Sequence, residues 1–265
     1  MPQSIRLRVF GNYALFSRPE LKVERYSYDV MTPSAARGIL DAIYYHPGLA
    51  WHIGRIIVES PIRFTNIRRN EVLRKVSAAD LLAAANGADE PIFIDRGEAI
   101  AQRAATILRD VSYVIEANFT VIPEKMGRED SADKFYAIFC NRARKGRFFH
   151  QPYLGCREFP AFFELITDEG RPPEPISESR DLGIMLYDMD YSGADITPMF
   201  FHAEMVQGVV DVAGKEILRR SLLHWFLITS LCGPRDLSRA PVGAWSAWVM
   251  PFFCGRTAQS IRSFA

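Results

Sequence analysis

From Ser4 the chain alternates: Ile5, Leu7 and Val9 face one way and Arg6 and Arg8 the other, which predicts a strand with one buried face. Thr32 then stands as an N-cap before Pro33, and Ala36, Ile39, Leu40 and Ile43 recur at helical spacing until Pro47 and Gly48 stop the run. A strand-like segment is expected in "HIGRIIVESPIRFTNI" and a small helix in "SAADLLAAANG". The clearest strand is "ILRDVSYVIEANFTVI", where Val111, Tyr113, Ile115, Ala117, Phe119 and Val121 alternate with a more polar set. Ser131 caps a further helix that ends near Gly146, and "AFFELI" reads as one more strand.

Strand, helix, strand, repeated, is the order of a ferredoxin-like or RNA-recognition fold, so the class is α+β with a ferredoxin-like N-terminal domain over 1–166. "TDEGRPPEPISESR", polar and proline-rich, reads as a linker or long excursion. Beyond it, 181–213 reads as a small antiparallel β unit with a hairpin folded at Gln207 and Gly208. From Gly214 the pattern changes: Trp225, Trp245, Trp248, Phe252 and Phe253 appear with little alternation, and 214–265 forms a tail to which no role is assigned.

Composition narrows the classes. A chain of 265 residues, 48% hydrophobic and 24% charged, fits one large soluble domain or two small ones. The net charge of +1 means that any polyanion partner must be held by locally clustered charge. Cys140, Cys156, Cys232 and Cys254 show neither a C-x-x-C nor a zinc spacing, so neither a metal nor a disulfide framework is expected. The chain shows no P-loop, G-x-S-x-G or H-E-x-x-H, and no cofactor is expected. The N-terminus lacks a signal-peptide core and no apolar run reaches the roughly 18 residues of a membrane span, which points to a cytoplasmic protein with no membrane partner.

Charge is clustered in two places. On a helix beginning near Ser131, Lys134, Asn141, Arg142 and Lys145 share one face while Phe135, Phe139, Cys140 and Ala143 turn inward; Arg144 and Arg147 extend the basic stretch. A solvated helix with a cationic last turn and a phosphate-holding surface both fit. The second cluster, "RFTNIRRNEVLRK", puts Arg63, Arg68, Arg69, Arg74 and Lys75 together around Asn70, with only Glu71 opposing. Read as a loop, it is either a bare exposed tip or an arginine-rich grip on phosphates and bases. His150, in "FFHQPYLG", is either a hydrogen-bonded structural residue or a catalyst, and Tyr44 and Tyr45 either cap a core or enter a site.

"RVFGNYALFSRPELKVERYSYDVMTPSAARGILDAIYYHP", "NIRRNEV", "LRDVSYVIEANF" and "NRARKGRFFHQPYLGCREFPAFFE" together resemble the CRISPR-associated Cas-five family, specifically its subtype I-C branch, over roughly residues 3 to 213. The resemblance implies a ferredoxin-like domain, a small C-terminal β-sheet domain, and an endoribonuclease that cuts precursor CRISPR RNA within its repeat. The product's 5′ handle would then be kept in a surveillance complex with other subunits. A non-catalytic RNA-binding subunit of the same complex is the alternative, and duplex DNA is a further partner compatible with either.

In the family the active site is a tyrosine at the end of the first helix with an adjacent lysine and histidine at the start of the later one. The tyrosine falls on Tyr44 and the lysine on Lys134, but Phe135 occupies the histidine position. Phenylalanine transfers no proton, and metal-independent cleavage needs a base for the 2′-hydroxyl and a donor for the leaving oxygen. His150 is the first candidate substitute, because it follows the same helix and could fold back toward its start. Tyr44 with a lowered pKa, Tyr45 or His46 comes next.

Overall fold

The computed structural model describes residues 4–21, 24–73, 77–87, 99–167, 170–193 and 196–219. Of the expected tail only 214–219 is among them, and Arg74 and Lys75 of the second basic cluster lie outside the described residues. One long strand organises the rest. β5 (Ile100–Val121) takes β1 (Ser4–Ala14) antiparallel along Leu108 to Asn118 and β3 (Leu49–Val58) antiparallel along Tyr113 to Val121. Its first half pairs instead with β4 (Phe64–Val72), and Asp110, at φ +53°, lies where β5 passes from one partner to the other. Aspartate tolerates that left-handed conformation better than most residues.

The sheet order through the centre is β6–β1–β5–β3, with β6 (Phe162–Leu165) antiparallel to β1. Helix α1 (Pro33–Ile43) connects β1 to β3, and α3 (Ala132–Arg144) connects β5 to β6; the short α2 (Ala78–Ala85) lies between β4 and β5. After the proline-rich excursion come β7 (Arg180–Asp190), β8 (Thr197–Val206) and β9 (Val209–Asp211), with β10 (Leu218–Arg219) added to β8. These strands continue the same sheet, ten-stranded among the described residues, because β9 pairs with β3. Gln207 and Gly208, both at positive φ, make the two-residue turn between β8 and β9 that the sequence predicts.

Alternation decides which face is buried. Leu7, Val9, Ile115 and Phe119 join Ile39, Leu40 and Ile43 of α1 and Phe135, Phe139 and Cys140 of α3 in one core. Trp51 of β3 meets Phe139 edge-on at 4.8 Å. On the other face Arg8 is buried, its guanidinium donating to Glu59 and to the carbonyls of Arg171 and Pro172, so the proline-rich excursion runs across that side. Helix α2 buries none of its residues and leaves Leu81 and Leu82 exposed. Among the described residues no helix is long and apolar enough to cross a membrane.

The "NIRRNEV" segment, expected as a loop, is strand. Every residue from Phe64 to Val72 is matched to one of β5, and the pairing supplies backbone partners that the segment's polar side chains gave no sign of. The register also sorts its arginines. Arg68 and Asn70 face solvent, whereas Arg69 turns back and pairs with Glu158 and with Glu71 at 3.6 Å.

Candidate active site

Helix α1 brings two tyrosines to its end. Thr32 opens it by accepting from the Ala35 N–H at 3.2 Å, and it closes at Tyr44, whose N–H still donates to Leu40 while its backbone is already extended (φ −148°, ψ 113°). In extended backbone successive side chains point opposite ways. Tyr44 turns inward and is 7% exposed; Tyr45 turns outward and is 59% exposed.

Helix α3 brings charge to Tyr44. Ser131 caps it by accepting from the Lys134 N–H at 3.2 Å, and Asp130 sits just before the cap. The Asp130 carboxylate accepts from the Gly127 N–H at 2.8 Å and from Lys134 Nζ at 3.1 Å, and its Oδ2 lies 3.3 Å from His46 Nε2. These bonds, the Gly127 N–H first and Lys134 next, hold its pKa below the usual carboxylate range. His46 Nδ1 accepts from the Gly48 N–H at 3.0 Å, which assigns the ring proton to Nε2, facing Asp130. The imidazole rests on Phe135 with ring centres 4.6 Å apart, and Tyr44 meets the same phenylalanine at 6.2 Å.

Arg142 closes the far side. It donates to the Ile43 carbonyl at 3.0 Å, capping the end of α1, and its guanidinium lies over the Tyr44 ring at 5.1 Å. Burial raises the Tyr44 pKa, Asp130 adds to the rise, and the opposing pull of Arg142 and Lys134 does not reverse it. The expectation that a lowered pKa could make Tyr44 the missing base is therefore corrected: its hydroxyl is held protonated.

Tyr44 and Lys134 thus share one neighbourhood, and the imidazole within it is His46. His150 turns elsewhere. Its N–H and that of Phe149 donate to the Ala42 carbonyl, which lays the segment after α3 along the outer side of α1, and His150 lines a cleft with Tyr45. The fold-back that made it a candidate does occur, but onto the opposite side from Lys134's partners. Asn141, Arg144, Lys145 and Arg147 are exposed along the end of α3 and the loop after it. Asp130 was missed by sequence reasoning; its signal was an aspartate four residues before Lys134 and directly ahead of an N-cap.

The family model of the CRISPR-associated protein (Cas_Cas5), Cas_Cas5d, matches residues 4–213. The chain belongs to the Cas5 family. It is 48% identical over 219 residues to a protein of Mannheimia succiniciproducens named CRISPR pre-crRNA endoribonuclease Cas5d, covering 80% of this chain and 96% of that relative. To a protein of the same name from Thermus thermophilus it is 35% identical over 230 residues, 80% of this chain and 92% of the relative. Among solved structures, one described as a CRISPR-associated protein superposes with a TM-score of 0.58 at 24% identity, covering 81% of this chain and 93% of that one. A functionally uncharacterized protein from Streptococcus mutans gives 0.54 at 24%, with 80% and 92% covered. At that identity the two structures speak for the fold alone, a large antiparallel sheet with few helices.

Proposed function

We propose that this Cas5 chain is a pre-crRNA endoribonuclease of the subtype I-C branch, which cuts the repeat by 2′-hydroxyl attack and keeps the 5′ handle as a subunit of a surveillance complex. The observation that carries the reading is the convergence of Tyr44, Lys134, His46 and Asp130, from two helix ends, on one partly open site. A ferredoxin-like core is the matching reading of the fold, supported by the order β6–β1–β5–β3 with α1 and α3 as its two crossovers.

In this reading the 2′-oxygen attacks the adjacent phosphorus and the bond to the 5′-oxygen breaks, leaving a 2′,3′-cyclic phosphate and a 5′-hydroxyl. Lys134 supplies the cation beside the charge that builds on phosphorus. The 2′-hydroxyl proton passes to His46 Nδ1, which exchanges its Gly48 bond for the substrate, while Asp130 steadies the imidazolium from Nε2. Tyr44, held protonated, donates to the leaving oxygen, and Arg142 and Lys134 steady the phenolate. Arg68, Asn70, Asn141, Arg144, Lys145 and Arg147 hold the RNA backbone; Arg69 reaches it by exchanging Glu158 for phosphate.

The buried Phe135 favours a second reading, a binding subunit without cleavage. Repeat RNA incubated in EDTA, beside the same RNA carrying a 2′-deoxy nucleotide at the scissile position, separates them. Cutting of the first alone is expected. Equal cutting of both removes the 2′-hydroxyl mechanism, and cutting of neither leaves the binding subunit.

A further inference from the structure

The outer side of α1 holds a cleft of about 690 Å³ that the cleavage chemistry does not use. That volume lies within the roughly 300–1,000 Å³ of small-ligand sites. Three aromatic rings border it, and all are well exposed: Phe149 at 62%, Tyr45 at 59% and Tyr153 at 39%. His150, Gln151 and Arg157 line it with them.

Exposed rings in a concave wall cost solubility unless something flat covers them. The polar lining says what kind of molecule. Arg157 and His150 suit an anion, and the exposed Arg144, Lys145 and Arg147 precede this segment in the chain. The acidic group in the wall, Asp41, pairs at 2.9 Å with Arg37, which it shares with Asp188. Aromatic faces beside guanidinium and imidazole groups match an unpaired nucleotide, whose base stacks while its phosphate is held by charge.

The walls are fixed before any ligand arrives. Phe149 and His150 are tied through their N–H groups to the Ala42 carbonyl, and Leu154 accepts from the Leu15 N–H and donates to the Phe159 carbonyl. At Gly155 the turn runs at φ +83°, and an added Cβ would lie 2.1 Å from the Leu15 carbonyl oxygen, so only glycine lets the segment lie this close. A preformed stacking platform loses little entropy on binding.

The geometry points to this cleft as a stacking subsite for one unpaired nucleotide of the bound RNA, seated on Phe149 and Tyr45 across α1 from the cleavage site. The inference rests on the proposed RNA-processing role and adds to it a base-binding position that no cleavage group occupies.

The test is a cycle between protein and RNA. Repeat RNA made uncleavable by a 2′-deoxy nucleotide is titrated against the parent chain and against Phe149→Ala, with an abasic nucleotide placed in turn at each unpaired position. The expected result is a loss of about tenfold in affinity for Phe149→Ala, in line with one lost base–aromatic stack. One abasic position should cost the parent a similar factor and the variant nothing further, and Phe149→Trp should bind like the parent. Unchanged affinity of Phe149→Ala, or abasic losses equal in both proteins, overturns the subsite while leaving cleavage untouched. A parent chain that binds no repeat RNA overturns both the subsite and the functional reading. Because Phe149 is exposed, a matching melting temperature certifies the variant's fold.

Discussion

Tyr44 and Tyr45 are neighbours in sequence and opposites in use. Tyr44 enters a cluster whose side chains are held by one another: Asp130 by Gly127 and Lys134, His46 by Gly48 and Asp130, Tyr44 under Arg142. Tyr45 enters a cleft whose side chains are held at the backbone and left open at their tips. The first arrangement fixes the orientation of its side chains, as the proposed catalysis requires. The second leaves apolar faces uncovered, as binding requires. A single extended residue past the end of α1 divides the two.

The division breaks most sharply in stability. Phe135 is 1% exposed and floors the cluster under His46 and Tyr44, so Phe135→Ala should cost about 3–5 kcal/mol in denaturant unfolding, as large core truncations do. Phe149→Ala in the open cleft should change the same measurement by no more than about 0.5 kcal/mol. Comparable losses would mean that the cleft is part of the core. In single-turnover cleavage the order reverses in kind: Lys134→Ala, which removes the cation, should slow the reaction by about 10²–10³-fold and His46→Ala, which removes the base, by about 10²–10⁴-fold, at nearly unchanged RNA affinity. His150→Ala should weaken binding yet cut at the parent rate when RNA is saturating. A slow His150→Ala with a fast His46→Ala would return the catalytic imidazole to the position expected from chain order.

How far the sequence could be read follows from which forces are local. The inward face of α3, Phe135, Phe139, Cys140 and Ala143, came from helical period alone, and the alternating half of β5 from strand period. β4 escaped because its partner is the first half of β5, so nothing within "NIRRNEV" announces pairing, and the inward turn of Arg69 is set by a register fixed elsewhere. At the candidate site, the family resemblance singled out Tyr44 and Lys134 and the caps predict the helix ends where they stand, whereas the His46–Asp130 contact joins segments far apart in the chain, and His150 was placed by nearness to α3 rather than by the side of α1 on which it lands.

The smallest expected effect is the cluster's share of the pH dependence of stability. Asp130 has its folded-state pKa lowered, chiefly by the Gly127 N–H and then by Lys134, so its bonds stabilise the fold above the unfolded value of roughly 3.9 and are lost as pH falls through the lower folded value. The parent should therefore lose stability on acidification below about pH 4 more steeply than Asp130→Asn, read as melting temperature against pH. Tyr44 runs the other way: its raised pKa keeps its contribution intact below the unfolded value of about 10, and that contribution fades as pH climbs toward the folded one; Tyr44→Phe should lessen this limb, which the buried Tyr28 and Tyr113 and the half-buried Tyr187 share. If Tyr44→Phe left the alkaline limb as steep as in the parent, the inward tyrosine would not be held by the cluster, and the separation of chemistry from stacking would fail.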